Sequence, residues 1–176
     1  MEAESQTGQS APAADAVPLV VDMDGTLTPV DTLHEMVALL IKEQPLTAIR
    51  AVGWVLGGKA FFKSKIADRV ALNATLLPYN PLVLEQIDEA RSEGRPVILA
   101  TASDRRVADA VAQHLGVFDD VIATAGDRNL SGAVKRDILV ERYGQGGFDY
   151  IANDAVDLPI WKAARKAILV NAPASV

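Results

Sequence analysis

Five short apolar runs space out this chain, at residues 17–21, 96–100, 120–124, 148–152 and 167–171. Each is continuous rather than alternating, so each reads as a strand buried on both faces, the habit of parallel sheets. Helical segments fit between them. Asn80 and Pro81 open one as cap and first-turn residue, and Gly94 follows its end. Residues 103–115 form another, with Gly116 placed as C-terminal cap and Ser103 as N-terminal cap, and 134–143 form a third before Gly144. Strands alternating with helices imply an α/β fold with a doubly wound parallel sheet.

One segment breaks the rhythm. About seventy residues without a good strand separate the first run from the second, far more than one crossover helix needs. Residues 31–43, 45–56 and 59–72 read as helices, with Gly57-Gly58 as a joint. The expected division is a core of 17–30 and 80–176 and a small helical cap, 31–79, inserted over the sheet's carboxyl edge, where ligands bind in such sheets. Residues 1–16, rich in Ala, Ser, Gln and Glu, read as a disordered lead.

Composition narrows the chemistry. The chain has no cysteine and only two histidines, His34 and His114. Thiolate nucleophiles and sulfur- or histidine-built metal centres are therefore not expected, and any metal must lean on oxygen donors, which suit Mg²⁺. A net charge of −6 argues against nucleic acid as a partner. No stretch is long and apolar enough to span a bilayer and no secretory signal is present, so a cytoplasmic setting is expected. Lys59, Lys63, Lys65 and Arg69 cluster beside Phe61 and Phe62. This favours an amphipathic helix with solvated lysines over a surface for an amphiphilic phosphate or a membrane. His34 reads as a hinge or core residue, or as a substrate contact, and Trp161 as core.

The chemistry concentrates after the first run. Asp22 and Asp24 leave the strand's carboxyl end and Gly25 permits a sharp turn. Two carboxylates so placed suit divided labour: one attacks phosphorus, the other protonates the leaving oxygen and then deprotonates water. The loop Asp22-Met-Asp-Gly-Thr-Leu-Thr28 resembles the first motif of the haloacid dehalogenase superfamily. That resemblance implies a Rossmann-like core, an Asp22 nucleophile, an Asp24 general acid/base, and Mg²⁺ held by the Asp22 side chain and the Asp24 carbonyl. Thr101, in Val97-Ile-Leu-Ala-Thr-Ala-Ser103, matches the second motif, whose hydroxyl binds a phosphoryl oxygen, with Ala102, Gly25 and Thr26 completing the substrate contacts. Lys135, after Asn129-Leu-Ser-Gly132, fits the lysine that neutralises nucleophile and phosphate, with Arg136 as the competing neighbour.

The last motif departs from the pattern. Counting back four from the supporting Asp157 lands on Asn153, so Ala152 stands for the usual Gly and Asn153 for the usual metal-binding Asp. Asn153 is an uncharged donor, and Asp154 is the carboxylate at hand to fill in.

The helical insertion resembles the phosphoserine-phosphatase-type cap. Thr32-Leu-His-Glu35, Leu99 to Arg106, Arg128 to Gly132 and Asp157-Leu-Pro-Ile-Trp161 resemble the domain fused ahead of UbiA-type membrane prenyltransferases, and the chain ends where such a membrane domain would begin. Together these imply a Mg²⁺-dependent phosphomonoester hydrolase. Its substrate would be a phosphorylated small molecule, a phosphosugar or prenyl-linked phosphosugar among the options. The alternative is a weakly active or inactive phosphate-binding module that regulates or serves an adjacent prenyltransferase, which would place it at the inner face of the membrane.

Overall fold

The computed structural model describes residues 16–126 and 129–171. Residues 1–15 of the lead assigned to 1–16, Asp127, Arg128 and the last five residues of the core assignment lie outside that description. Five parallel strands form one sheet in the order β3-β2-β1-β4-β5: β1 Leu19–Val21, β2 Val97–Asp104, β3 Asp120–Thr124, β4 Asp149–Ala152 and β5 Lys166–Leu169. Chain order reverses at β1, whose neighbours are β2 and β4, so the crevice at its carboxyl end is the natural ligand site.

Alternate residues serve opposite faces. Leu19, Val21, Leu99 and Ile151 pack with α4 (Pro81–Ser92) and α5 (Arg105–Leu115). Val20, Ile98, Tyr150 and Ala152 pack with α6 (Ala133–Tyr143) and α7 (Leu158–Trp161). Both faces are covered, which explains why the strands read as unbroken apolar runs. Trp161 is buried in the second cluster, as expected.

The insertion holds α1 (Thr32–Glu43), α2 (Pro45–Ala51) and α3 (Lys59–Ala67). Its two ends meet: Thr28 Oγ1 donates to the Pro78 carbonyl at 2.7 Å and the Asn80 amide to the Leu27 carbonyl at 2.9 Å. Met36, Leu40, Ala51, Ile66 and Val70 join the same buried cluster as Leu19 and Val21, so the insertion shares the core of one sheet face. The helix read over 45–56 is shorter than expected. It gives way at Val52 to a 3₁₀ turn, Val52–Gly57, where Gly53 and the β-branched valines support an α-helix poorly.

A second difference lies at the end of β2. The strand continues to Asp104, and its pairing with β3 jumps from Thr101–Ala123 to Asp104–Thr124. Ala102 and Ser103 bulge out of register. Asp104, not Ser103, caps α5 by accepting from the Arg106 amide at 3.1 Å.

Candidate active site

Asp22 is the first residue beyond β1, and its amide donates to the Ile151 carbonyl of β4. The chain then turns back on itself, with the Thr26 and Thr28 amides bonding the Met23 carbonyl and the Leu27 amide that of Asp22. Gly25 makes the turn at φ +78°, and a β-carbon there would collide with the Asn153 amide. Glycine is required twice over, by backbone and by close approach.

A buried charge network stands on this loop. Lys135 Nζ donates to Asp22 Oδ1 at 2.6 Å and to the Tyr150 hydroxyl at 2.9 Å. Tyr150 in turn donates to Asp157 Oδ1 at 2.9 Å, and Lys135 lies 3.6 Å from the same carboxylate. Lys135 is 3 % exposed and Asp157 2 %. Burial by itself would strip the proton from Lys135, but Asp22 and Asp157 outweigh it and hold the ammonium above its ordinary pKa. Burial lifts the Asp22 carboxyl, with Lys135 opposing and Asp157 adding to the lift. Burial, then Asp22 and Asp157, push the Tyr150 phenol well up, so it stays a neutral donor.

Asp24 is held separately. Its Oδ1 accepts from the Thr32 amide at 2.8 Å and the Thr32 hydroxyl at 2.7 Å, and its Oδ2 from Ser103 Oγ at 2.6 Å. Thr32 is the first residue of α1, so the carboxylate faces that helix's amino end. Burial raises the Asp24 pKa against the lowering by Ser103 and Thr32. Burial thus raises both neighbouring carboxyl groups, Asp22 and Asp24.

A cavity of about 460 Å³ opens between these groups. Asp22, Asp24, Gly25, Thr101, Ala102, Lys135, Asn153, Asp154 and Asp157 all line it. Thr26 does not. It is fully buried, and its hydroxyl lies 3.2 Å from Asp22 Oδ2 and 3.1 Å from Asn153 Oδ1, so it braces the loop instead of facing substrate. Thr101 Oγ1 accepts from the Ser103 amide at 3.0 Å, which leaves its hydroxyl proton for a ligand. The Ala102 carbonyl is taken by Thr124 Oγ1 and Lys63 Nζ.

Among the described residues no cluster of three or more His, Cys, Asp or Glu is arranged around a metal position. The Asp24 carboxylate is turned to Thr32 and Ser103, and Asp154 caps a 3₁₀ turn through the Val156 amide. The candidate oxygen donors are Asp22, the Asp24 carbonyl, the Asn153 amide oxygen and Asp154, which lines the cavity and has one carboxylate oxygen bonded to Val156. Asp22 and Asn153 converge on one Thr26 hydroxyl. An all-oxygen set with one or two carboxylates fits Mg²⁺, which keeps several waters and shares substrate phosphate.

Four residues of this site escape a reading of the sequence. Ser103 looks like a helix cap, Thr32 like a first-turn residue and Tyr150 like core, and only three-dimensional approach gives them partners. Lys63 is the fourth. Instead of standing in solvent, its Nζ lies 2.6 Å from the Ala102 carbonyl and it lines the cavity with Lys59. Burial lowers its pKa. His34 is neither core nor part of the cavity lining: it is exposed in the first turn of α1, 3.7 Å from Asp31.

Comparison with known proteins follows the same lines. The haloacid dehalogenase-like hydrolase family profile matches residues 54–143. A curated relative, the uncharacterized protein y4nM of Sinorhizobium fredii, is 37 % identical over 155 residues. That match covers 88 % of this chain but only 30 % of the relative, so the chain spans under a third of its length. A HAD family hydrolase from Salmonella enterica serovar Typhi superposes with a TM-score of 0.64 at 16 % identity, covering 92 % of this chain and 65 % of that one. A phosphoserine phosphatase in its apo form gives 0.63 at 17 % identity, covering 90 % and 88 %. The profile match spans half of the chain, and the chain belongs to the haloacid dehalogenase-like hydrolase family.

Proposed function

We propose that this domain is a Mg²⁺-dependent phosphomonoester hydrolase working through an aspartyl-phosphate. The observation that carries the proposal is the buried Lys135–Asp22 pair, set in one cavity with Asp24 and Thr101 at the sheet's switch point. Substrate phosphate binds against the Thr101 hydroxyl and the Lys135 ammonium. Asp22 attacks phosphorus in line, while Asp24 gives its proton to the leaving oxygen. Asp24 then takes a proton from water, which attacks the acyl phosphate and restores Asp22. Lys135 offsets charge on both nucleophile and phosphoryl group. Mg²⁺ held by Asp22, the Asp24 carbonyl and Asn153 would supply further charge neutralisation at the phosphoryl oxygens. The leaving group lies toward Leu33, Lys59 and Lys63 of the cap. The cap therefore selects a phosphorylated small molecule, and phosphosugars and prenyl-linked phosphosugars belong in the first panel tested. The purified chain with Mg²⁺ is expected to hydrolyse an aryl phosphate. Absence of turnover above an Asp22→Asn control across a broad phosphate panel would overturn the proposal.

One observation favours a second reading. Asn153 puts a neutral amide, already bonded to Thr26, where a carboxylate would bind metal more strongly. In that reading the domain binds phosphate with little turnover and serves an adjacent membrane prenyltransferase at the inner membrane face. Asn153→Asp separates the two: a large gain in hydrolysis supports the second, and strong turnover by the unaltered chain removes it.

A further inference from the structure

Helix α2 and the 3₁₀ turn after it are apolar on the wrong side. Ala48 and Ala51 turn inward, with Trp54 half-buried beside them. Leu46, Ile49, Val52 and Leu56 face outward at 71 to 92 % exposure, and Val55 and Ile41 are exposed as well. A surface helix normally buries its larger side chains and shows its small or polar ones. Here the order is reversed over nearly three turns, leaving a cluster of aliphatic side chains in water that a free-standing surface rarely carries.

Charge at this end of the molecule is also unlike the rest. Residues 41–69 hold six Lys or Arg and two acids, Glu43 and Asp68, in a chain whose total is −6; with Lys63 turned into the cavity, the remaining net is +3. The cations flank the aliphatic face. Lys42 closes α1, Arg50 lies within α2, and Lys59 follows the turn. Lys65 sits over the Phe61 ring at 5.3 Å and Arg69 over Trp54 at 6.0 Å, so their stems cover aromatic surface near the patch. A second copy of the chain would bring two such positive patches face to face, which like-charge repulsion opposes. An anionic lipid surface accepts both features at once. Aliphatic side chains enter the acyl boundary, the cations meet headgroup phosphates, and the strongly negative remainder is turned away.

We propose that the outer face of α2 and the Val52–Gly57 turn docks on an anionic lipid bilayer. Lys59, which lines the catalytic cavity and directly follows this face in the chain, brings the cavity mouth close to the headgroups. This inference is independent of the phosphatase proposal, because it needs no turnover.

The test is co-sedimentation of the purified chain with vesicles of phosphatidylcholine, with and without phosphatidylglycerol. Pelleting is expected only with the anionic vesicles, and is expected to fade as salt rises. Ile49→Asp with Leu56→Asp should weaken partitioning at least about tenfold, and Lys42→Glu with Arg50→Glu should act in the same direction. Far-UV circular dichroism melts check that these exposed substitutions leave the fold intact. Failure to pellet with anionic vesicles overturns the proposal, as does equal pelleting with neutral ones. Binding that survives both double substitutions in folded protein overturns it too. A dimer in solution that the Ile49/Leu56 variant dissociates would assign the face to a second copy instead.

Discussion

Two buried aspartates on neighbouring strands show how differently the two edges of one sheet use the same side chain. Asp149 opens β4 at the amino edge, and Asp22 follows β1 at the carboxyl edge. Asp149 accepts from two guanidinium groups, with Arg95 at 2.5 Å and Arg165 through two bonds of 2.8 and 2.6 Å. Burial would raise its carboxyl, but Arg165 and Arg95 outweigh burial and hold it below the ordinary aspartate range. Asp22 has one cation, Lys135, which it shares with Asp157, and its pKa lies above the ordinary range. The amino edge is thus over-supplied with positive charge and the carboxyl edge under-supplied. Over-supply stabilises a carboxylate, while under-supply leaves it reactive and ready for a cation or a phosphoryl group.

The largest test of that contrast is chemical. Asp22→Asn is expected to lower aryl-phosphate turnover by at least about 10³-fold, because the nucleophile is gone. Asp149→Asn should leave kcat unchanged in the same assay. Lys135→Met comes next. It strands Asp22 and Asp157 without a buried cation, so it should cost about 3 to 5 kcal/mol in a urea melt as well as about 10²-fold or more in kcat. Asp149→Asn should cost less, about 1 to 3 kcal/mol, since Arg95 and Arg165 retain access to water. Ser103→Ala is expected to reduce kcat by about tenfold. It removes a bond that lowers the Asp24 pKa, so the pH limb belonging to Asp24 should move upward. The smallest effect is on acid stability. Asp149 has a depressed folded-state pKa, so its contribution is complete above the unfolded value and is lost as pH falls below about 4. Melting temperatures of the unaltered chain should drop through that window, and those of Asp149→Asn should drop less steeply.

Much of the architecture was legible beforehand. Five apolar runs became five parallel strands, and Asn80-Pro81, Gly116 and Gly144 mark helix boundaries as their chemistry requires. The loop around Asp22, the helix bearing Lys135 and the strand ending near Thr101 are all short-range patterns, so a linear reading finds them. Lys63 shows where such reading stops. Its neighbours make an amphipathic helix, and nothing within α3 tells that its ammonium meets the Ala102 carbonyl 39 positions later. Ser103 shows the same, because the bulge that re-aims it arises from the β2–β3 register.

The sequence by itself therefore determined the parallel sheet and the loop that carries Asp22 and Asp24, because strand period, turn chemistry and loop spacing are local properties. Tertiary structure alone decided the other groups around those carboxylates: Thr26 at Asp22, Thr32 and Ser103 at Asp24, and Tyr150 between Lys135 and Asp157. The physical reason is that hydrogen bonds and desolvation act over a few ångströms in space, between residues up to 127 positions apart in the chain.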